Sequence, residues 1–132
     1  MPNVSLDKAL HIVAQGREAA EKNGLKAVFA ILDTGANLVA FSRMDGAWLA
    51  SNELAMAKAR TSVMFQMPSE VLNAPLQVGQ SVAHFDHIHA GGLLLMGGGL
   101  PLFDEDGVLA GALGVSGGTP EEDAALARSA AD

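Results

Sequence analysis

Apolar residues recur at helical spacing in the first part of the chain. They follow Ser5 at Leu6, Leu10, Val13 and Ala20, a stripe that is typical of an amphipathic helix. The Ser5 hydroxyl can accept a hydrogen bond from a first-turn N–H group, which suits the N-cap position. The pair Asn23-Gly24 suits a C-cap. The pattern therefore predicts a helix that begins after Ser5 and ends at Asn23-Gly24.

Five apolar runs are too short for helices and predict β-strands. Four of them flank the polar turns 33–37 and 104–107 in pairs, which predicts two hairpins. The fifth run, Leu93–Met96, predicts a short buried strand just before a glycine run. Because hairpins dominate, the sheet should be largely antiparallel. The hairpin strands are Lys26–Leu32 with Leu38–Ser42, and Leu100–Phe103 with Val108–Val115.

Three further segments favour helices. The alanine- and methionine-rich run Trp48–Phe65 predicts a second helix. Pro68-Ser69-Glu70 can start a short third helix that Pro75 ends. Thr119-Pro120 supplies an N-cap and a first helical residue for a last helix that runs to the C-terminus. The predicted order is α-β-β-α-α-β-β-β-α, an α+β chain whose residues 1–132 form a single domain.

Composition narrows the function classes. An apolar fraction of 49% with 17% charged residues excludes a disordered chain. The net charge of −7 argues against nucleic acid as a partner, because neutralising phosphates needs a basic surface. The chain has no cysteine, which excludes disulfides, a thiolate nucleophile and a cysteine zinc site. A haem or a metal would therefore be held by histidine, methionine, carboxylate or backbone.

The sequence gives no sign of a membrane or secretory role. The first residues lack a basic stretch followed by an apolar run, and the longest apolar segment is too short to span a bilayer. We therefore expect a cytoplasmic protein with no membrane partner. Abundant alanine and glycine leave much small apolar surface, which favours a homo-oligomer.

Three of the four histidines lie within six residues, and this cluster is the strongest chemical signal in the chain. His84, His87 and His89 form an H-x-x-H-x-H pattern that lacks the H-E-x-x-H arrangement of a zinc protease. On a helix the first two would share a face, whereas in extended chain the last two would. Imidazole binds divalent metals and transfers protons near neutral pH. The three are therefore candidate metal ligands or general bases, and solvated loop histidines are the alternative.

Charged residues after the second strand and in the second helix each allow two interpretations. Arg43 and Asp45 can be turn residues, paired or solvated, with Gly46 at a positive φ. Alternatively they line a pocket mouth at which the guanidinium binds a carboxylate. Lys58 should keep its ammonium in water while its stem covers apolar surface. Its alternative role is counter-charge for an anionic ligand.

Two glycine-rich segments, 97–99 and 116–119, could hold an anion through backbone N–H groups. The second is better placed, because it opens a helix whose N-terminus favours negative charge. Neither has the spacing of a Rossmann fingerprint or a P-loop, which argues against nucleotide binding. Close strand packing and turn geometry are the alternative explanation of these glycines.

Several segments, in a fixed order along almost the whole chain, carry a family resemblance. The most specific are 43–47 (RMDGA) and 111–118 (GALGVSGG). The others are Val28, Asp33, Gly35, Lys58-Ala59, Phe65, Pro68, Gly98-Gly99, Pro101 and Glu122-Asp123. Together they resemble the GlcG/HbpS-like family of haem-binding and haem-degrading proteins, which includes the C-terminal domain of PduO-type proteins.

This resemblance implies a five-stranded antiparallel sheet with packed helices, a homo-oligomer, and haem or corrinoid binding. It also implicates a histidine of the first helix in haem ligation. His11, which beside Asp7 and Glu18 indicates a solvated helix face, lies in that helix. The segment 76–92 departs from the usual family pattern because of its histidine triplet, which leaves room for a different metal or substrate.

Three functions are therefore open. The first is a haem- or other tetrapyrrole-binding protein, with or without haem degradation, in which a histidine is the axial ligand and Arg43 or Lys58 meets the propionates. The second is a small-molecule enzyme that uses the histidine triplet as general base or divalent-metal site, with Arg43 holding a carboxylate. The third is a non-catalytic oligomeric accessory or sensor protein. The residues assigned to a cofactor are His11, Arg43, Asp45, Lys58, Gly98 and Gly99.

Overall fold

The computed structural model describes residues 3–71 and 93–132, which form three helices and four strands. Their order along the chain is α-β-β-α-β-β-α. The elements are α1 (Leu6–Lys22), β1 (Val28–Leu32), β2 (Leu38–Arg43), α2 (Ala50–Phe65), β3 (Gly99–Phe103), β4 (Leu109–Ser116) and α3 (Pro120–Ala131).

The four strands form one antiparallel sheet in the order β2-β1-β4-β3. Two hairpins, β1–β2 and β3–β4, meet where β1 pairs with β4. Helix α2 packs on one face of this sheet, and α1 and α3 pack together on the other. All five residues of β1 are buried because both of its faces are covered. The predicted α+β class and antiparallel pairing are confirmed.

The predicted fifth strand is absent from the described part of the chain. Residues 93–96 have no regular structure, and two of their backbone groups form hydrogen bonds with side chains. Leu94 N donates to Thr61 Oγ1 at 2.9 Å, and the Ser69 hydroxyl donates to Met96 O. A four-residue apolar run does not distinguish a strand from another buried segment, so both the five-strand count and the predicted order are wrong.

The predicted short helix after Pro68 is described over its first residues alone. Residues 69–71 form a turn, and the rest of the predicted helix lies outside the described residues. The segment 76–92 also lies outside them.

Side chains cap two of the three helices as the sequence predicts. Ser5 Oγ accepts a hydrogen bond from Lys8 N at 3.1 Å at the start of α1. At the start of α3, Thr119 and Glu122 form a reciprocal capping box, and Pro120 is the first residue of the helix. No helix of the described ranges is long and apolar enough to cross a membrane.

An aspartate closes the turn of each hairpin. Asp33 Oδ1 accepts from the backbone N–H groups of Gly35 and Asn37, both at 2.9 Å. Asp104 Oδ1 accepts in the same way from Asp106 and Val108. The hydrogen bond from the Asn37 N–H, helped by those from its side chain and from Gly35, holds the pKa of Asp33 below its ordinary value of 3.8.

The Asp33 turn gives a pH-dependent prediction. We expect Asp33→Asn to lower the free energy of unfolding by about 1 kcal/mol at pH 7, because the charged acceptor is lost. A depressed carboxyl pKa stabilises the fold above the unfolded value and loses that contribution as pH falls through the folded value. Urea unfolding of both proteins between pH 7 and pH 2 should therefore show the difference shrinking in acid. Asp106→Asn is the control, and a difference independent of pH would contradict the role of the charge.

Candidate functional site

Lys58 lies in the interior, with 1% of its surface exposed. Its ammonium donates to Asp123 Oδ2 at 2.9 Å and to Val115 O at 3.0 Å. The prediction that this ammonium stays in water is wrong. Helix α2 packs on β4, and the Lys58 side chain reaches Val115 near the end of β4 and Asp123 in the first turn of α3.

Asp123, the partner of Lys58, is 2% exposed and is held by two elements. Its second oxygen, Oδ1, accepts from Gly118 N at 2.8 Å. Burial raises the pKa of this carboxyl, and the hydrogen bonds from Lys58 and the glycine backbone oppose that rise. The pair therefore ties α2 to the β4–α3 junction through charged groups that are removed from solvent.

Backbone N–H groups of the glycine segment before α3 already donate hydrogen bonds to carboxylates of the protein. Gly118 N donates to Asp123, and Thr119 N donates to Glu122 Oε1 at 2.8 Å. The interpretation of residues 116–119 as an external anion cradle is therefore wrong. These N–H groups stabilise the N-terminus of α3 from within.

Gly98 and Gly99, both assigned to a cofactor from the sequence, are buried against Lys58 and its neighbours. Gly98 has φ +130°, and a Cβ there would lie 3.0 Å from the Lys58 ammonium and would overlap Val115 O. A Cβ on Gly99 would lie 2.7 Å from Ser62 Oγ. Backbone and side-chain atoms of other elements therefore leave no room for a Cβ at either glycine. Their role toward a ligand stays a prediction.

Arg43 and Asp45 line an open cavity of 540 Å³ beside α1, which we call the Arg43 groove. Both are exposed, and Gly46 after them has the predicted positive φ, at +84°. The remaining lining residues are Arg17, Glu21, Gly24, Leu25, Lys26, Ser42 and Met44. Three cations and two carboxylates surround this space, so it can hold a carboxylate or another small anion.

Sequence reasoning missed Arg17 and Lys26 as members of the groove. Arg17 lies on the C-terminal half of α1, and Lys26 precedes β1. Arg17 lies beside the groove because α1 packs on β1 and β2, whereas Lys26 lies near Arg43 because Val28 pairs with Arg43 in the hairpin. The packing of α1 on the hairpin has no local sequence pattern, so the position of Arg17 could not be predicted.

His11 is exposed on the solvent face of α1, as the sequence predicts. Leu6 and Leu10, on the same helix, are also more than half exposed. Arg17 follows His11 by six residues, which places it about 9 Å further along the helix axis. Helix α1 therefore carries an exposed imidazole and exposed leucines, and its C-terminal half lines the Arg43 groove.

His84, His87 and His89 lie outside the described residues. Within residues 3–71 and 93–132, no group of three histidine, aspartate or glutamate side chains is placed to hold a metal ion. The metal and general-base roles of the triplet stay predictions, as does self-association.

Comparison with protein families gives a match over nearly the whole chain. The model of the family described as "Haem degrading protein HbpS-like" matches residues 4–132. An uncharacterised 15.0 kDa protein of Citrobacter freundii, encoded between dhaT and dhaS, is 34% identical over 121 residues. That match covers 91% of this chain and 84% of the relative.

Two solved structures are similar over the full fold. The Klebsiella pneumoniae protein ORFY superposes with a TM-score of 0.95 at 30% identity, covering 100% of this chain and 90% of that one. The crystal structure of a PduOC–haem complex superposes with a TM-score of 0.91, also at 30% identity, covering 97% and 92%.

Proposed function

Because this chain belongs to the HbpS-like family of haem-degrading proteins, we propose that it binds haem. The observation that carries the proposal is the likeness to the PduOC structure solved with haem, which extends over 97% of this chain. The family description extends the proposal to haem degradation, for which loss of the haem absorbance under reductant and oxygen is the assay.

The described residues fit a haem group. An iron centre needs a donor that it can reach, and the exposed His11 imidazole is one. Leu6 and Leu10 lie on the same helix and can contact an apolar macrocycle. Bound haem would supply an iron whose reactivity toward dioxygen depends on the axial ligand and the surroundings.

The propionates fit the Arg43 groove better than they fit Lys58. The Lys58 ammonium is buried and already engaged by Asp123. Arg43 and Arg17 are exposed and line an open cavity, and a guanidinium can hold a carboxylate through two hydrogen bonds. We therefore assign the propionates to Arg17 and Arg43, and Asp45 to the rim of that groove.

Haemin titration of His11→Ala tests the axial ligand. We expect a Soret shift on binding to the unchanged protein, and at least tenfold weaker binding with an altered Soret position in the variant. Arg43→Ala should weaken binding and leave the Soret position unchanged, because it removes a propionate contact and not a ligand. Asp7→Asn, on the same face of α1, is the control.

The outcomes separate the parts of the proposal. No Soret shift in the unchanged protein would overturn haem binding. If His11→Ala leaves the Soret shift unchanged, the axial ligand is another residue. The next variants to test are then His84→Ala, His87→Ala and His89→Ala. A shift unaffected in all four variants would contradict histidine ligation.

A further inference from the structure

The Arg43 groove gathers positive charge on a chain that is acidic as a whole. The net charge of the chain is −7, and it has eight lysine and arginine residues. Three of these eight, Arg17, Lys26 and Arg43, line this one groove, and all three are exposed. The two arginines are assigned above to the haem propionates. Lys26 is a third cation on the same wall.

The cations of the groove are not neutralised by the carboxylates beside them. Glu21 and Asp45 line the same groove. Nevertheless, none of the three cationic side chains makes an ion pair or a hydrogen bond with another residue in the part of the chain that the structure describes. On the solvent side of α1, by contrast, Lys22 and Glu18 form an ion pair at 3.3 Å. The three cations are therefore available to an anion from outside the protein.

Gly46 positions the Lys26 side chain. A Cβ on this glycine would lie 2.8 Å from Lys26 Cδ, 3.3 Å from Cε and 3.1 Å from Nζ. The outer half of the lysine stem, with its ammonium, thus lies along Gly46, where a larger residue would displace it. Because Gly46 follows Arg43 and Asp45 in one loop, that loop places two of the three cations of the groove.

The three cations together suit two carboxylates better than one. A guanidinium binds both oxygens of one carboxylate through parallel hydrogen bonds, whereas an ammonium is a compact charge with three donors. Haem carries two propionates on one edge of its ring. Two guanidinium groups and an ammonium can compensate both of these charges, although Glu21 and Asp45 at the rim oppose them. A single carboxylate would leave most of this donor set unused.

We propose that Lys26 is a specificity-determining residue of the Arg43 groove, which selects ligands with two free carboxylates over the same ring with neutral side chains. Lys26 supplies the positive charge that Arg17 and Arg43 alone do not, since two carboxylates of the protein stand beside them. This inference deepens the proposed function and rests on it, because the propionates of haem are the carboxylates concerned.

Haemin and its diamide test the selection directly, since they have the same iron and ring and differ in the two carboxylates alone. We expect the diamide to bind roughly tenfold more weakly than haemin. Lys26→Gln should weaken haemin binding about fivefold and leave diamide binding unchanged, because the lost charge has no partner in the diamide. Lys26→Arg, which keeps the charge, should bind haemin within about twofold of the unchanged protein.

Lys22→Gln is the matched control. It removes the same charge from the same region of the chain, but Lys22 lies outside the groove and pairs with Glu18. It should bind haemin and the diamide as the unchanged protein does. The inference is overturned, with haem binding intact, if haemin and its diamide bind equally well. It is also overturned if Lys26→Gln binds haemin normally or weakens both ligands alike.

Metal-free protoporphyrin IX separates this inference from iron ligation, because it has both carboxylates and no iron. Its own fluorescence reports its binding. If haemin gives no Soret shift, the proposed function fails, and this porphyrin then decides the inference alone. Porphyrin binding that Lys26→Gln weakens would support the role of Lys26. Absence of binding, or binding that the variant leaves unchanged, would overturn it.

Discussion

Replacement of Lys58 by methionine is expected to lower the free energy of unfolding by about 3–5 kcal/mol. The loss comes less from the missing attraction than from Asp123, which stays buried with its charge uncompensated. Methionine keeps most of the volume of the lysine stem, so a cavity contributes little. Urea unfolding at pH 7 measures the effect, with Lys8→Met on the exposed surface as the control.

The double variant Lys58→Met/Asp123→Leu separates charge from packing. Removing both partners leaves no buried charge, so we expect it to recover a large part of the stability lost in Lys58→Met. Gly118 N, which donates to Asp123, would then lack its acceptor, and recovery should therefore be incomplete. A double variant less stable than Lys58→Met would contradict this account.

The loss caused by Lys58→Met should also depend on pH. Burial raises the pKa of Asp123 even with its partner present, so without Lys58 the folded pKa rises further above 3.8. A carboxyl with a raised folded pKa destabilises the fold as pH rises through the window between the unfolded and folded values. The difference between the two proteins should thus be largest near pH 7 and shrink toward pH 3.

Local features of the fold could be predicted from the sequence because their causes are local. The Ser5 and Thr119 caps, the Asp33 and Asp104 turns and the hairpins between them depend on residues a few positions apart. The family assignment was also confirmed, since the residues that carry the resemblance are spread over almost the whole chain and the family match covers residues 4–132. The strand prediction for residues 93–96 was wrong because side chains of α2 and of the following turn, which are distant in sequence, bind their backbone.

The site residues were less predictable, because their surroundings are tertiary. Lys58 has the sequence context of a surface lysine, and Asp123, its partner, stands 65 positions away. The N-terminus of α3 was interpreted from the sequence as open to an external anion, whereas Asp123 and Glu122 accept hydrogen bonds from the N–H groups there.

Gly114 is the position at which a single methyl group should be most damaging. It lies on β4 between Ala30 of β1 and Gly99 of β3, so three small residues form a row across the sheet. The backbone of α2 lies on this row. A Cβ on Gly114 would overlap the carbonyl oxygen of Ala55 and approach Ala59 N to 2.9 Å.

We therefore expect Gly114→Ala to lower the free energy of unfolding by about 3 kcal/mol, at the upper end of the overpacking range, since rigid backbone cannot rotate away. Gly107→Ala, which has φ +77° but meets no atom within 4 Å, controls for backbone conformation and should cost about 1 kcal/mol. Because the overlap is with helix backbone and not with the Ala55 methyl, adding Ala55→Gly should not rescue Gly114→Ala. Urea unfolding of the unchanged protein, Gly114→Ala, Gly107→Ala and the double variant Gly114→Ala/Ala55→Gly measures these differences in stability. Rescue by Ala55→Gly, or a Gly114→Ala variant as stable as the unchanged protein, would mean that α2 lies further from the sheet.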